Sequence, residues 1–140
     1  MAEARKAKQL SFMLPNKVGQ LAAVCEPIAR ANVSIEALCA RESGENAEFM
    51  LVTENNAKAK KALASLGAEI RETEVIGLEL PNKAGKLAEA ARKLAEAGVN
   101  IRSVWGSAFS GRSAVCVLMT SDDRTAIRIL GKKEKPAKSR

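Results

Sequence analysis

The sequence predicts an α+β protein built from two copies of one small unit, each with the element order β-α-β-β-α-β. Three observations predict it. The stretch Leu-Pro-Asn-Lys-Val-Gly-Gln-Leu-Ala at 14–22 returns as Leu-Pro-Asn-Lys-Ala-Gly-Lys-Leu-Ala at 80–88, an offset of 66 residues, and the match runs on through Ala29 and Ala95, Val33 and Val99, and Ile35 and Ile101. An internal repeat of this kind sets the unit of folding. Within each half, segments of period two alternate with segments of helical period. Finally, 140 residues shared between two copies leave about 65 each, near the size at which a lone core is marginal. The copies are therefore expected to pack together, or the chain to self-associate.

Leu10, Phe12 and Leu14 alternate across residues 9–14, which reads as a strand. Pro15-Asn16-Lys17 breaks it. Val18, Leu21, Ala22, Cys25, Ile28 and Ala29 then fall at helical spacing on one apolar stripe. Pro27 lies inside that helix, lacks an N–H and is expected to kink it or end it early. Asn32 stops the helix because it tolerates the left-handed conformation, and Gly98 answers the same demand in the second copy. Val33, Ile35, Ala37 and Cys39 alternate over 33–41. Ser43-Gly44-Glu45-Asn46 is turn chemistry, and the run Phe49-Met50-Leu51-Val52 marks an interior strand. Asn55 or Asn56 caps a second helix with Ala59, Ala62, Leu63 and Leu66 on one face, and Gly67 ends it. A weak, polar strand around Ile70 leads almost directly into the second copy.

There Ile76, Leu78 and Leu80 take the places of Leu10, Phe12 and Leu14. A helix carries Ala84, Leu87, Ala88, Ala91, Leu94 and Ala95, a strand runs over 99–105, and a hairpin connection spans 106–111. The apolar strand 113–120 follows, then a short helix capped by Ser121 or Asp122 and ending at Leu130-Gly131. Beyond it the apolar alternation stops, so the second copy is predicted to lack its last strand. The order gives two ferredoxin-like units with helices on one face of an antiparallel sheet. The first is placed at 9–74 and the second at 75–131, flanked by basic flexible tails at 1–8 and 132–140. The missing strand would leave an open edge, which invites pairing with another chain. An inter-chain contact or a tail is expected to cover it.

The net charge is +7, but it is concentrated at the ends. Residues 1–8 hold three basic residues and one acidic, and residues 132–140 hold five basic and one acidic, which leaves the body close to neutral. Solvated tails are the expected reading, and nucleic-acid binding is not expected. Phe12, Phe49, Phe109 and Trp105 are the whole aromatic set, too few to build stacking platforms for bases. There is no apolar run of membrane-spanning length and no signal-like N-terminus, so a cytoplasmic protein is expected. Cys25, Cys39 and Cys116 form no Cys-x-x-Cys pair, and there is no histidine to complete a zinc set. They are expected in the core. Without histidine, His-based acid–base or triad chemistry is excluded, and no P-loop or dinucleotide Gly-rich turn is present. No enzyme activity, metal or cofactor is expected.

The duplicated strand–Asn-Lys-x-Gly-x-Leu–helix stretch, followed by Ala-Asn-Val-Ser-Ile and Ala-Gly-Val-Asn-Ile, resembles a tandem pair of ACT domains, the small regulatory modules that bind amino acids. The resemblance covers residues 9–131, and the chain is similar to stand-alone two-ACT proteins, which carry no attached enzyme. It implies that a ligand sits between these loops and a neighbouring ACT unit. The candidate residues are Asn16, Lys17, Val18 and Gly19 in the first loop and Asn82, Lys83, Ala84 and Gly85 in the second. Ser34, Ile35, Asn100 and Ile101 are the matching positions for contacts from the neighbour.

The chemistry of the loops agrees with that implication. A helix N-terminus suits a carboxylate, Gly19 and Gly85 admit a close backbone or ligand, and an Asn amide both donates and accepts. A turn with Asn as helix cap is the competing reading of the same residues. Val18, Ala84, Ile35 and Ile101 as walls would suit a small or branched apolar ligand. The expected function is amino-acid-binding regulation of amino-acid metabolism or of a partner enzyme or regulator, by ligand-linked association of a homo-oligomer. The alternative is a scaffold module that dimerises or docks without ligand.

Overall fold

The structure, a computed structural model, describes residues 2–108 and 110–131. The chain folds as β1 (Glu3–Pro15), α1 (Gln20–Arg30), β2 (Ile35–Ser43), β3 (Asn46–Thr53), α2 (Asn56–Leu63) continued by a 3-10 turn (Ala64–Leu66), β4 (Arg71–Pro81), α3 (Lys86–Glu96), β5 (Ile101–Ser107), β6 (Ser113–Thr120) and α4 (Asp123–Leu130). It divides into two compact units. Lys8–Thr73 is the first copy, and Glu74 onward together with Met1–Ala7 is the second.

In the first copy β3 lies antiparallel between β2 and β1, with Leu10 opposite Leu51, Phe12 opposite Phe49 and Ser43 opposite Asn46. The opening residues of β4 flank β1, so the order is β2-β3-β1-β4, the expected ferredoxin-like arrangement. Leu10, Phe12, Leu14, Phe49 and Leu51 form the core with Val24 and Ile28 of α1 and Ala59 and Leu63 of α2. The rings of Phe12 and Phe49 stack, centroids 5.3 Å apart and 8° from parallel.

The second copy repeats this with β6 between β4 and β5, and here the expectation of a flexible N-terminal tail is corrected. β1 begins at Glu3, not Gln9, and its first residues occupy the fourth strand position beside β4. Ala4 is 2% exposed and belongs to the core of Ile76, Leu78, Leu80, Leu94 and Leu118. Its N–H donates to the Gly131 carbonyl at 2.7 Å, just past the end of α4. Among the described residues no strand follows α4, and the fourth strand position of the second copy is taken by the first residues of β1. The edge that another chain or a tail was expected to cover is covered by residues 3–7. The sequence hid this strand because the apolar alternation breaks at Lys6 and Lys8, which share the parity of Ala4 and Leu10 but are exposed. The tail expected at 132–140 lies outside the described residues.

Two helix expectations are also corrected. Pro27 does not shorten α1, which spans the same 11 residues as α3. The apolar stripe of each helix is mostly exposed, with Ile28 in α1 and Leu94 in α3 its buried members. Val24 and Ile28 are the buried residues of α1, whereas Leu21 is 51% exposed and Ala22 and Ala29 are exposed. In α3, Ala90 and Leu94 are buried while Leu87 is 53% exposed, with Ala88, Ala91 and Ala95 exposed. Each helix therefore carries a broad apolar face, and its own sheet covers one flank of it.

Helix ends follow local chemistry. Asn55 caps α2 by accepting from Lys58 N–H, and Asp122 caps α4 by accepting from Thr125 N–H, both at 3.1 Å. Asn32 adopts φ 61° and Gly98 φ 75°, two residues meeting one backbone demand. Cys116 is buried, and Cys25 and Cys39 are half-buried. Burial raises the thiol pKa of Cys25 and Cys116, so neither is poised as a thiolate.

Candidate functional site

Each Asn-Lys-x-Gly segment forms an exposed loop between a strand and a helix N-terminus. Gly19 and Gly85 are the N-cap residues of α1 and α3, at φ 89° and 87°. That left-handed conformation is costly for any side chain with a Cβ, which explains glycine at both positions. No side chain caps either helix. The first-turn N–H groups are thus presented at a positive helix end with no side-chain acceptor.

The two asparagines do not cap these helices, which removes the turn-cap reading. Asn16 Nδ2 donates to Glu42 Oε2 at 2.6 Å, and its N–H donates to the Glu45 carbonyl at 2.9 Å. Asn82 Nδ2 donates to the Gly111 carbonyl at 2.7 Å, and its N–H to that of Arg112 at 2.8 Å. Each asparagine therefore ties its loop to the hairpin of its own copy, β2–β3 in the first and β5–β6 in the second. Lys17, Val18, Lys83 and Ala84 are exposed, Val18 completely.

Ser34, Ile35, Asn100 and Ile101 are not brought to these loops within a copy. Pro15 and Ser43 both pair with Asn46 at one end of the first sheet, while Ile35 pairs with Thr53 at the other. Eight residue steps along β2 separate the two ends by roughly 27 Å. The main-chain groups of Ser34 are engaged locally, its N–H with Glu54 Oε2 and its carbonyl with Glu54 N–H. Asn100 does the same with the Ser121 hydroxyl and N–H. Within one copy the loop and strand-start halves of the candidate site therefore stand at opposite ends of the sheet.

The second loop overhangs a crevice of about 410 Å³. Asn82, Lys83, Lys86 and Leu87 form one side, and Val104, Gly106, Ser107 and Ala108 the other, over a floor of Leu80, Ala114 and Cys116. Volumes of about 300–1,000 Å³ are usual for small-molecule sites. Of the residues singled out from sequence, only Asn82 and Lys83 line it. Leu87, Val104, Gly106 and Cys116 were missed. The signal that could have found them was comparison of the two copies at the floor positions, where the residues differ in size. Among the described residues no cluster of metal-ligating side chains occurs, and no helix is long and apolar enough to cross a membrane.

The family model for the ACT domain pair matches residues 6–135. Among solved structures, protein BT0572 from Bacteroides thetaiotaomicron is similar at 33% identity, covering 91% of this chain and 88% of that one, with a TM-score of 0.81. The ligand-free regulatory subunit of aspartate kinase from Thermus thermophilus shares the fold at 15% identity, with coverage of 92% and 93% and a TM-score of 0.69. So does E. coli aspartokinase III in complex with lysine and aspartate, at 17% identity and a TM-score of 0.56, over 92% of this chain and 31% of that enzyme. No curated protein matches the chain.

Proposed function

The chain belongs to the ACT domain pair family, and from that premise we propose that it is a regulatory protein that binds an amino acid and changes its association with a partner when it does. The observation that carries this reading is the pair of glycine-capped helix N-termini, each held by an asparagine to a hairpin and left without a side-chain cap. Such an end suits a carboxylate. The Asn16 and Asn82 amides spend a donor on the hairpin, and their oxygens remain suited to an ammonium group. A neighbouring unit closes the site with Ser34–Ile35 or Asn100–Ile101, contributed by a second copy of the chain. The E. coli aspartokinase with bound lysine and aspartate has this fold in a regulated enzyme, which supports the choice of ligand class. No catalytic role is assigned to any residue. A partner enzyme or regulator is the receiver of the signal.

A thermal-shift panel of the twenty amino acids tests this on wild type, Gly19→Ala and Gly85→Ala, each against its own ligand-free midpoint. A ligand at a hundred times its Kd stabilises by about 2.7 kcal/mol. A selective shift that is lost in one glycine variant supports the sensor. A well-folded protein that responds to no amino acid refutes it and favours the ligand-independent scaffold.

A further inference from the structure

The two copies share a fold but not a volume. At the floor of the second crevice stands Cys116, opposite Leu78 in the sheet. The corresponding pair in the first copy is Phe49 opposite Phe12, the stacked rings. Gly106, opposite Cys116, takes the place of Ala40, opposite Phe49. Val104, opposite Leu118, takes the place of Leu38, opposite Leu51. Every one of these exchanges removes volume on the helix-facing side of the sheet. Leu38 packs onto the first core, whereas Val104 is 49% exposed at the lip of the crevice.

The glycine at 106 is required by the close approach. A Cβ built there would lie 2.6 Å from the Val115 carbonyl oxygen and 2.9 Å from Cys116 Sγ. Cys116 Sγ thus stands against Gly106, and both line the crevice together with Lys86 and Leu87 of α3. Leu80, Ala114 and Cys116 below, with Leu87 and Val104 at the lips, give that space an apolar lining. Asn82, Lys83 and Lys86 stand at its mouth.

We propose that the second copy alone takes the ligand's side chain, and that this side chain is apolar and of leucine to phenylalanine size. It fills the space that the Phe49 ring occupies in the first copy, while the amino-acid head group remains at the Asn82–Gly85 loop. This rests on the amino-acid-binding reading above. The first copy is closed to such a side chain by its own phenylalanine stack. An apolar side chain in a floor of this composition leaves no polar group unpaired, whereas a charged one would be desolvated without a partner.

Calorimetric titration of the full chain with phenylalanine, leucine, alanine and glutamate tests the proposal on wild type, Cys116→Phe and Val104→Phe. Phenylalanine and leucine are expected to bind wild type at least tenfold more tightly than alanine or glutamate. Their binding is expected to carry a negative heat-capacity change from apolar burial. Cys116→Phe restores the first copy's floor and is expected to abolish binding. Val104→Phe alters an exposed lip, is expected to leave folding intact, and should weaken binding at least tenfold even if Cys116→Phe does not fold. Equal binding to wild type and Val104→Phe, or preference for alanine or glutamate, overturns the proposal while leaving amino-acid binding in place. Absence of binding by all four overturns the proposal, and the thermal-shift panel of twenty then decides separately whether the chain binds an amino acid at all.

Discussion

At the scale of single residues, the helix caps make the clearest internal comparison. Asn55 and Asp122 do the same work in the two copies, each accepting from the N–H three residues on. Asn55→Ala should cost about 1 kcal/mol, measured as a shift in the urea midpoint. Asp122 differs because it titrates. Hydrogen bonds from the Thr125 hydroxyl and N–H hold its pKa below the usual aspartate value. A depressed carboxylate pKa contributes stability above the unfolded value, near 3.9, and loses it as the pH falls through the folded value. Asp122→Asn keeps a capping oxygen without a proton to bind, as Asn55 does naturally. Comparing urea midpoints at pH 7 and pH 3, wild type should lose more stability on acidification than Asp122→Asn. The caps and the left-handed stops at Asn32 and Gly98 were legible in the sequence because they depend on a few neighbouring residues. The roles of Asn16 and Asn82 were not, because their partners lie 26 and 29 residues away on a hairpin.

At the scale of elements, the order of strands and helices was legible from period alone, and its two failures share a cause. Period shows that a face is apolar but not how much of it the rest of the unit covers. The upstream half of β1 offers one small apolar residue, Ala4, among Arg5, Lys6 and Lys8, and so reads as a charged tail. It becomes a strand because β4 would otherwise have an unpaired edge. Ala4→Asp should therefore destabilise the second copy by about 2 kcal/mol or more, since it buries a carboxylate in an apolar cluster. Lys6→Gln, exposed on the same strand, should stay within about 0.5 kcal/mol of wild type in the same urea titration. On α1 and α3 the error ran the other way. The apolar stripes held Ile28 and Leu94, which are buried, but otherwise Leu21, Ala22 and Ala29, and Leu87, Ala88, Ala91 and Ala95, which are exposed. Val24 and Ala90, on the adjoining flank and outside the stripes, are buried.

At the scale of the whole molecule, those uncovered flanks and the opposed ends of the candidate site point the same way. Each copy presents a loop at one end, a strand start at the other and an exposed apolar helix flank between, the surfaces through which the proposed self-association would run. The repeat places the same flank twice on each chain, which suits a symmetric self-contact. Leu21→Asp and Ala91→Asp, at exposed positions, should leave the unfolding midpoint near that of wild type and lower the mass measured by light scattering at micromolar concentration. In the proposed function, ligand binding and association are linked. Sedimentation velocity across a micromolar concentration series, with and without the amino acid that stabilises the protein, tests this linkage most directly. A saturating ligand is expected to shift the boundary toward one association state at concentrations where the free protein is mixed. An identical distribution with and without a ligand shown to be bound would contradict it.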